Sequence, residues 1–281
     1  MSVATERQVT PGRAGARARV AAVQTVSGGD VAANLAAIEP RVAEAARRGA
    51  QLVLLPEYFG VFGARATDKV AVRETPGEGV QQAWLARVAR ANSVWVIGGS
   101  VPLATADPER VRSACLVYDA EGRCVARYDK MHLFAFSRGE ERYDESRTIE
   151  PGEHPVLVDT PLGKVGLSVC YDVRFPELYR QYREATLLVV PSAFTAVTGA
   201  AHWHLLLRAR AVENQCYVLA AAQGGLHANG RRTYGHSMLV DPWGEIVTEL
   251  EHGEGVIVGD IDPERIASVR TDLPALAHRR L

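Results

Sequence analysis

Apolar positions along this chain follow two alternating patterns. An apolar strand is read from about Val20 in ARVAAVQTV. After the Gly28–Gly29 turn, Asp30 is placed as a cap, and Val31, Leu35, Ile38 and Val42 fall at helical spacing until Gly49. Pro40 lies inside that spacing and predicts a kink or a break. QLVLLPE reads as a second buried strand that stops at Pro56 and leaves Glu57 at its exit. The alternation then recurs, with Val80, Trp84, Leu85 and Val88 on one helical face and VWVIGG as the following strand.

Two hairpins come next. VRSACLVYDAEGRCVARYDK turns around Asp119 to Gly122, and PVLVDTPLGKVGLSVCYD turns around Pro161 to Gly163; the stretch between them, Met131 to Gly152, is polar and contains glycine. Beyond Cys170 the pattern predicts a helix over PELYRQYREA, a strand over TLLVVPSAF, and a longer helix from about Gly199 to Asn214. The strand CYVLAAAQ and two short strands around DPWGEI follow. Strands alternating with helices, interrupted by hairpins, predict a layered α/β domain with mixed sheets. Neither an internal repeat nor a low-complexity linker is evident, so the reading is a flexible tail over 1–18 and one domain over 19–281.

Composition narrows the function. A chain of 281 residues with 47% hydrophobic side chains can bury a full core, and 32 Lys+Arg against 33 Asp+Glu give no bulk charge to attract nucleic acid or an anionic membrane. No apolar stretch approaches the roughly 20 residues that span a bilayer, and the N-terminus lacks a secretory apolar region, so the expected location is the cytoplasm. The four cysteines, Cys115, Cys124, Cys170 and Cys216, form no CxxC pair, which points to neither a zinc site nor a disulfide framework.

Glu57, Lys130 and Cys170 each follow an apolar strand at its expected C-terminal end, where ligand sites of α/β sheets gather. Cys170 precedes a Tyr-Asp turn and a helix opening near Pro176, an arrangement that exposes a side chain and aims backbone N–H groups at it. A free thiol needs a neighbouring base or a positive field before it attacks a carbonyl. Taken singly, the three residues also fit a core thiol, a surface lysine and an exposed glutamate. His202 and His204 in HWH point to different faces of a helix, which argues against a metal site. Cys216 sits inside a strand, and GGLHANGRRTYGH, which has neither a P-loop nor a dinucleotide fingerprint, reads as a mobile loop near the site.

Together, LLPEYF, RYDKMHLF and SVCYDVRFPELYR resemble the nitrilase superfamily of carbon–nitrogen hydrolases from about Arg19 to Ile261. The resemblance implies a four-layer αββα sandwich with two mixed β-sheets. It also implies Glu57 as general base, Cys170 as nucleophile, Lys130 as oxyanion stabiliser helped by the Tyr171 N–H, and Glu145 as a second glutamate, with Glu140 and Glu141 competing in the same loop. No metal and no organic cofactor is implied. Tyr-Asp after the cysteine, where nitrilases carry Trp-Glu, favours amides over nitriles. CYDVRFPEL, the stretch GAAHWHLLLRARAVENQCYVLAAAQGG and YGHSMLVDPWGE look most like the Nit-type amidases, with the branch acting on deaminated glutathione nearer than the omega-amidases acting on α-ketoglutaramate.

The implied reaction hydrolyses a small carboxylate-bearing amide to acid and ammonia through a thioester, with an N-carbamoyl amino acid as the alternative substrate. Arg174 is a natural carboxylate clamp through its planar fork, or else a salt-bridge partner of Asp172 or Glu177. Phe134, Phe194 and Thr195 are further pocket candidates, and a homodimer is expected.

Overall fold

The strand Ala18–Gln24 (β1) shows how the layers are built. Val20 and Ala22 face a second sheet, while Ala21 and Val23 face helices, and all four are fully buried. The computed structural model describes residues 17–138 and 141–280. The expected tail therefore lies, apart from Arg17 and Ala18, outside the described residues.

After β1 come α1 (Val31–Arg47), β2 (Leu52–Leu54), the short α2 (Asp68–Ala71), α3 (Val80–Asn92), β3 (Trp95–Ala104), β4 (Val111–Tyr118) and β5 (Cys124–Asp129). A small hairpin of β6 (Ala135–Arg138) and β7 (Glu141–Asp144) leads to β8 (Leu157–Thr160) and β9 (Gly163–Leu167). Then follow α4 (Pro176–Tyr179), β10 (Leu187–Ser192), α5 (Ala196–Asn214), β11 (Tyr217–Ala222), β12 (Ser237–Val240), β13 (Ile246–Leu250), β14 (Gly255–Ile261) and α6 (Pro263–Asp272). Two six-stranded sheets result, ordered β14-β1-β2-β3-β4-β5 and β13-β12-β11-β10-β9-β8. They pack face to face through residues such as Leu52, Leu54, Val189 and Leu219. Helices α1 and α3 cover the first sheet through Leu35, Ile38, Val42, Trp84 and Leu85, and α5 adds Trp203 and Leu207 on the second, giving the expected αββα sandwich.

Counted from β14 and from β8, the pairings in both sheets run antiparallel, parallel, parallel, antiparallel, antiparallel. The chain thus repeats one β-α-β-α-β-β-β plan, a repeat invisible in the residues because the two halves fill equivalent positions with different side chains.

Other expectations need correction. Helix α1 runs unbroken through Pro40, which is exposed, while Leu35, Ile38 and Val42 anchor the helix on the sheet; the nearby Ala37 carbonyl accepts from the Arg41 guanidinium. Val80 opens α3 but is 65% exposed. PELYRQYREA yields only the short α4, after which three-residue turns close through Gln181 N→Leu178 O, Tyr182 N→Tyr179 O and Ala185 N→Tyr182 O. The hydroxyls of Tyr179 and Tyr182 hold this bend against Ser168 (2.7 Å) and the Leu167 carbonyl (2.6 Å). The hairpin β6–β7, β14 and α6 were not anticipated.

Candidate active site

Strand ends converge where the sequence placed them: Glu57 beyond β2, Lys130 directly after β5, and Cys170 beyond β9. Val169 is extended, and Cys170 then reverses to φ +51° at the head of a tight turn over Cys170–Arg174. This left-handed backbone is costly for a residue with a Cβ and has to be held by its surroundings.

Asp172, fully buried, is what holds it. One carboxylate oxygen accepts from Val169 N (2.8 Å) and the Tyr128 hydroxyl (2.7 Å); the other accepts from the backbone N–H of His132 (3.0 Å) and lies 2.7 Å from its Nδ1. Those partners flank Lys130 on both sides, so a single carboxylate ties the cysteine turn to the lysine segment. Asp172 is thereby occupied, and Arg174 forms no ion pair with it or with Glu177 among the described residues.

The buried ammonium of Lys130 lies 2.8 Å from Glu57 Oε1 and 2.7 Å from Glu145 Oε2. Glu57 Oε2 accepts from Ala193 N (2.9 Å), just past β10, and the Glu57 carbonyl accepts from Gln223 (3.0 Å). Glu145 accepts from the Tyr58 hydroxyl and from Phe134 N, both at 2.7 Å. Of the loop glutamates, Glu145 therefore meets the lysine; the side chains of Glu140 and Glu141 lie outside the described residues.

Burial and charge separate the two carboxylates. Burial pushes the Glu57 carboxyl up, against the pull of Lys130 and with Glu145 adding to the rise. Burial acts in the same sense on Glu145, but Lys130, the Phe134 N–H and the Tyr58 hydroxyl outweigh it and hold this carboxyl below its ordinary range. For Lys130, the two glutamates overcome the cost of burial and keep the ammonium charged. Burial first, then the Glu57 charge, push the Cys170 thiol well up, so the resting group is a thiol that needs a base. Beside it stands Glu57, a carboxylate poised to take and return a proton.

A cleft of about 250 Å³ opens onto Cys170, lined also by Glu57, Glu145, Phe134, Tyr143 and Arg231. A second, narrow recess at Cys170 is walled by Tyr171, Arg174, Phe194 and Thr195, so every pocket residue expected from sequence borders Cys170. The Arg174 guanidinium lies over the rings of Phe194 (5.2 Å) and Tyr171 (5.7 Å) and donates toward His202 Nδ1 (3.2 Å). His204 instead points to Glu249 (2.8 Å), so the two histidines of HWH do diverge.

Sequence reasoning missed the tie made by Asp172, the N–H of Ala193, the Tyr58 hydroxyl, and the cleft cations Lys69 and Arg231. Only the adjacency of Tyr58 to Glu57 and the basic pair in GGLHANGRRTYGH signalled any of them.

The family profile described as "Carbon-nitrogen hydrolase" matches residues 19–271. The chain is 41% identical over 268 residues to deaminated glutathione amidase of Yersinia enterocolitica, covering 94% of this chain and 93% of the relative. It is 40% identical over 243 residues to an omega-amidase of Mus musculus, with 85% and 86% covered. The crystal structure of Saccharomyces cerevisiae Nit3, described as a member of branch 10 of the nitrilase superfamily, superposes with a TM-score of 0.85 at 33% identity, over 94% of this chain and 97% of that one.

Proposed function

The chain belongs to the carbon–nitrogen hydrolase family and hydrolyses non-peptide C–N bonds, and from that premise we propose a cysteine-dependent amidase acting on a small carboxylate-bearing amide. The observation that carries the mechanism is the Cys170 thiol set beside a Glu57 carboxylate of raised proton affinity, with the charged Lys130 between the two glutamates. Glu57 takes the thiol proton as the sulfur attacks the amide carbon. The carbonyl oxygen, now negative, is held by the Lys130 ammonium and the Tyr171 N–H. Protonated Glu57 delivers its proton to the leaving nitrogen, the C–N bond breaks, and a thioester remains on Cys170. Glu57 then deprotonates a water that attacks the thioester, and the thiol regains its proton as the acid departs. Glu145 stays ionised throughout and keeps Lys130 charged and aimed.

The leaving group depends on the amide, so ammonia as the expected product is corrected to hold for primary amides alone. A primary amide such as α-ketoglutaramate loses ammonia; deaminated glutathione, whose amide nitrogen belongs to cysteinylglycine, loses that dipeptide's amine. The similarity to the Yersinia enzyme supports deaminated glutathione as the substrate, and the omega-amidase relative supports α-ketoglutaramate as the second reading. Release of amine or ammonia from these two, an N-carbamoyl amino acid and a nitrile tests the proposal. Deaminated glutathione is expected to give the largest kcat/KM. Turnover of the carbamoyl compound alone, with carbon dioxide evolved, would overturn the substrate class.

We also propose a homodimer formed through α5. Leu205 and Val212 on this helix are 69% and 47% exposed, and Trp243 in the adjoining β12–β13 turn is 51% exposed. Arg208 of α5 binds the Gly244 carbonyl at 2.7 Å, so helix and turn form one apolar face. Four free thiols, one of them the proposed nucleophile, suit the reducing cytoplasm.

A further inference from the structure

The geometry points to Arg231 as the residue that reads a carboxylate on the amine half of the substrate, which makes the preferred amide an N-substituted one with an anionic leaving group. This inference rests on the amidase reading and sharpens it.

Glu57 and Glu145 line the wide cleft and not the recess beside Arg174. The leaving nitrogen must face Glu57 to be protonated, so the amine half departs through the wide cleft. In that cleft the Arg231 guanidinium lies between two rings, 4.8 Å from the centroid of Phe62 and 4.7 Å from that of Tyr143. Among the described residues no carboxylate comes within ion-pair distance of it. Of the other cations lining the cleft, Arg65 already pairs with Asp68 at 3.2 Å, Lys69 donates to Thr148 at 3.2 Å, and Arg142 is held against no ring among the described residues. A guanidinium sandwiched by aromatic faces keeps its in-plane N–H groups directed outward, the arrangement that receives a carboxylate in two parallel hydrogen bonds.

The supporting loop is fixed in advance. Asn229 donates to the Gly63 carbonyl (2.7 Å) and accepts from Arg231 N (3.0 Å). Buried His227 donates from Nδ1 to the Ser27 carbonyl and accepts at Nε2 from Thr233, both at 2.8 Å, and its ring stacks on Phe62 at 3.8 Å. Gly230, at φ +81°, closes the turn just before Arg231. Arg231 is thus presented to the cleft on a braced loop, and little ordering remains for binding. Arg174 lines the separate recess at Cys170 and not this cleft, so the two guanidiniums serve different ends of the substrate.

The test compares deaminated glutathione, its C-terminal carboxamide and α-ketoglutaramate on the wild-type enzyme and on Arg231→Met, which keeps an apolar stem between the two rings, and Arg231→Lys. Wild type is expected to favour the free acid over the carboxamide by about tenfold or more in kcat/KM, chiefly through KM. Arg231→Met should abolish that preference, losing far more on the free acid than on α-ketoglutaramate, and Arg231→Lys should restore part of it. A preference that survives in Arg231→Met, a wild type without preference, or an equal loss on all three substrates with a lowered melting temperature would overturn the assignment. Absence of wild-type turnover on all three would instead strike the amidase reading itself.

Discussion

Glu57 and Lys130 meet at 2.8 Å with both side chains shielded from water, and Glu145 reaches the same ammonium from its other side. One cation between two carboxylates leaves the site with one negative charge too many for a dry pocket, and burial places the resulting proton affinity on Glu57. In the proposed mechanism this asymmetry assigns proton transfer to Glu57 and anchoring of Lys130 to Glu145.

It fixes a pH profile. Glu57 accepts a proton only when ionised, and its pKa is raised above 4.5, so kcat/KM should fall as pH drops through a value above 4.5. Glu145→Gln removes a charge that raises Glu57 and should shift this acid limb to lower pH, while kcat drops by about tenfold or more because Lys130 loses a tether. A limb that stays in place or moves upward, measured over a full pH series, would contradict the division of roles.

Asp172 should matter to stability as much as to rate. Asp172→Ala strips partners from Val169 N, the Tyr128 hydroxyl and His132 at once, all in or beside the core. A loss of about 3 kcal/mol in unfolding free energy is expected, read by urea denaturation, together with a fall in kcat larger than the rise in KM. Full activity in the folded variant would show that the cysteine turn stands without its tie.

Gly99 in β3 makes a separate test of how Glu57 is placed. A Cβ there would come within 2.3 Å of the Leu55 and Pro56 carbonyl oxygens, in the backbone that delivers Glu57. Gly99→Ala should push that backbone away, cost about 2 kcal/mol, and reduce kcat by about tenfold or more. Circular dichroism and steady-state kinetics on one preparation check both effects.

Leu205→Glu, at the centre of the exposed α5 face, should turn the proposed dimer into a monomer in light scattering, because a charge would have to be buried without a partner. An unchanged mass would place the interface elsewhere or remove it.

Much of this was legible before the structure. Strand-end positions can be read from apolar runs ending in Pro56, Asp129 and Cys170, whereas the roles proposed for Glu57, Lys130 and Cys170 came from the family resemblance of the three motifs in order. Less visible was anything built from contacts between distant segments. Asp172 looked like a partner for Arg174 because only neighbours along the chain can be seen in a sequence; two of its partners, Tyr128 and His132, lie 44 and 40 positions away. Arg231 was one cation of a glycine-rich loop until Phe62 and Tyr143 closed around it. Pro40 did not break its helix, because the rule for proline describes an isolated helix, whereas this helix is held by the sheet beneath it.

The central claim, that the Cys170 thiol is the nucleophile, is tested most directly by kcat/KM of Cys170→Ala on whichever amide the wild type hydrolyses fastest. A loss of at least about 10³-fold with an unchanged melting temperature is expected. Activity within tenfold of the wild type would contradict it.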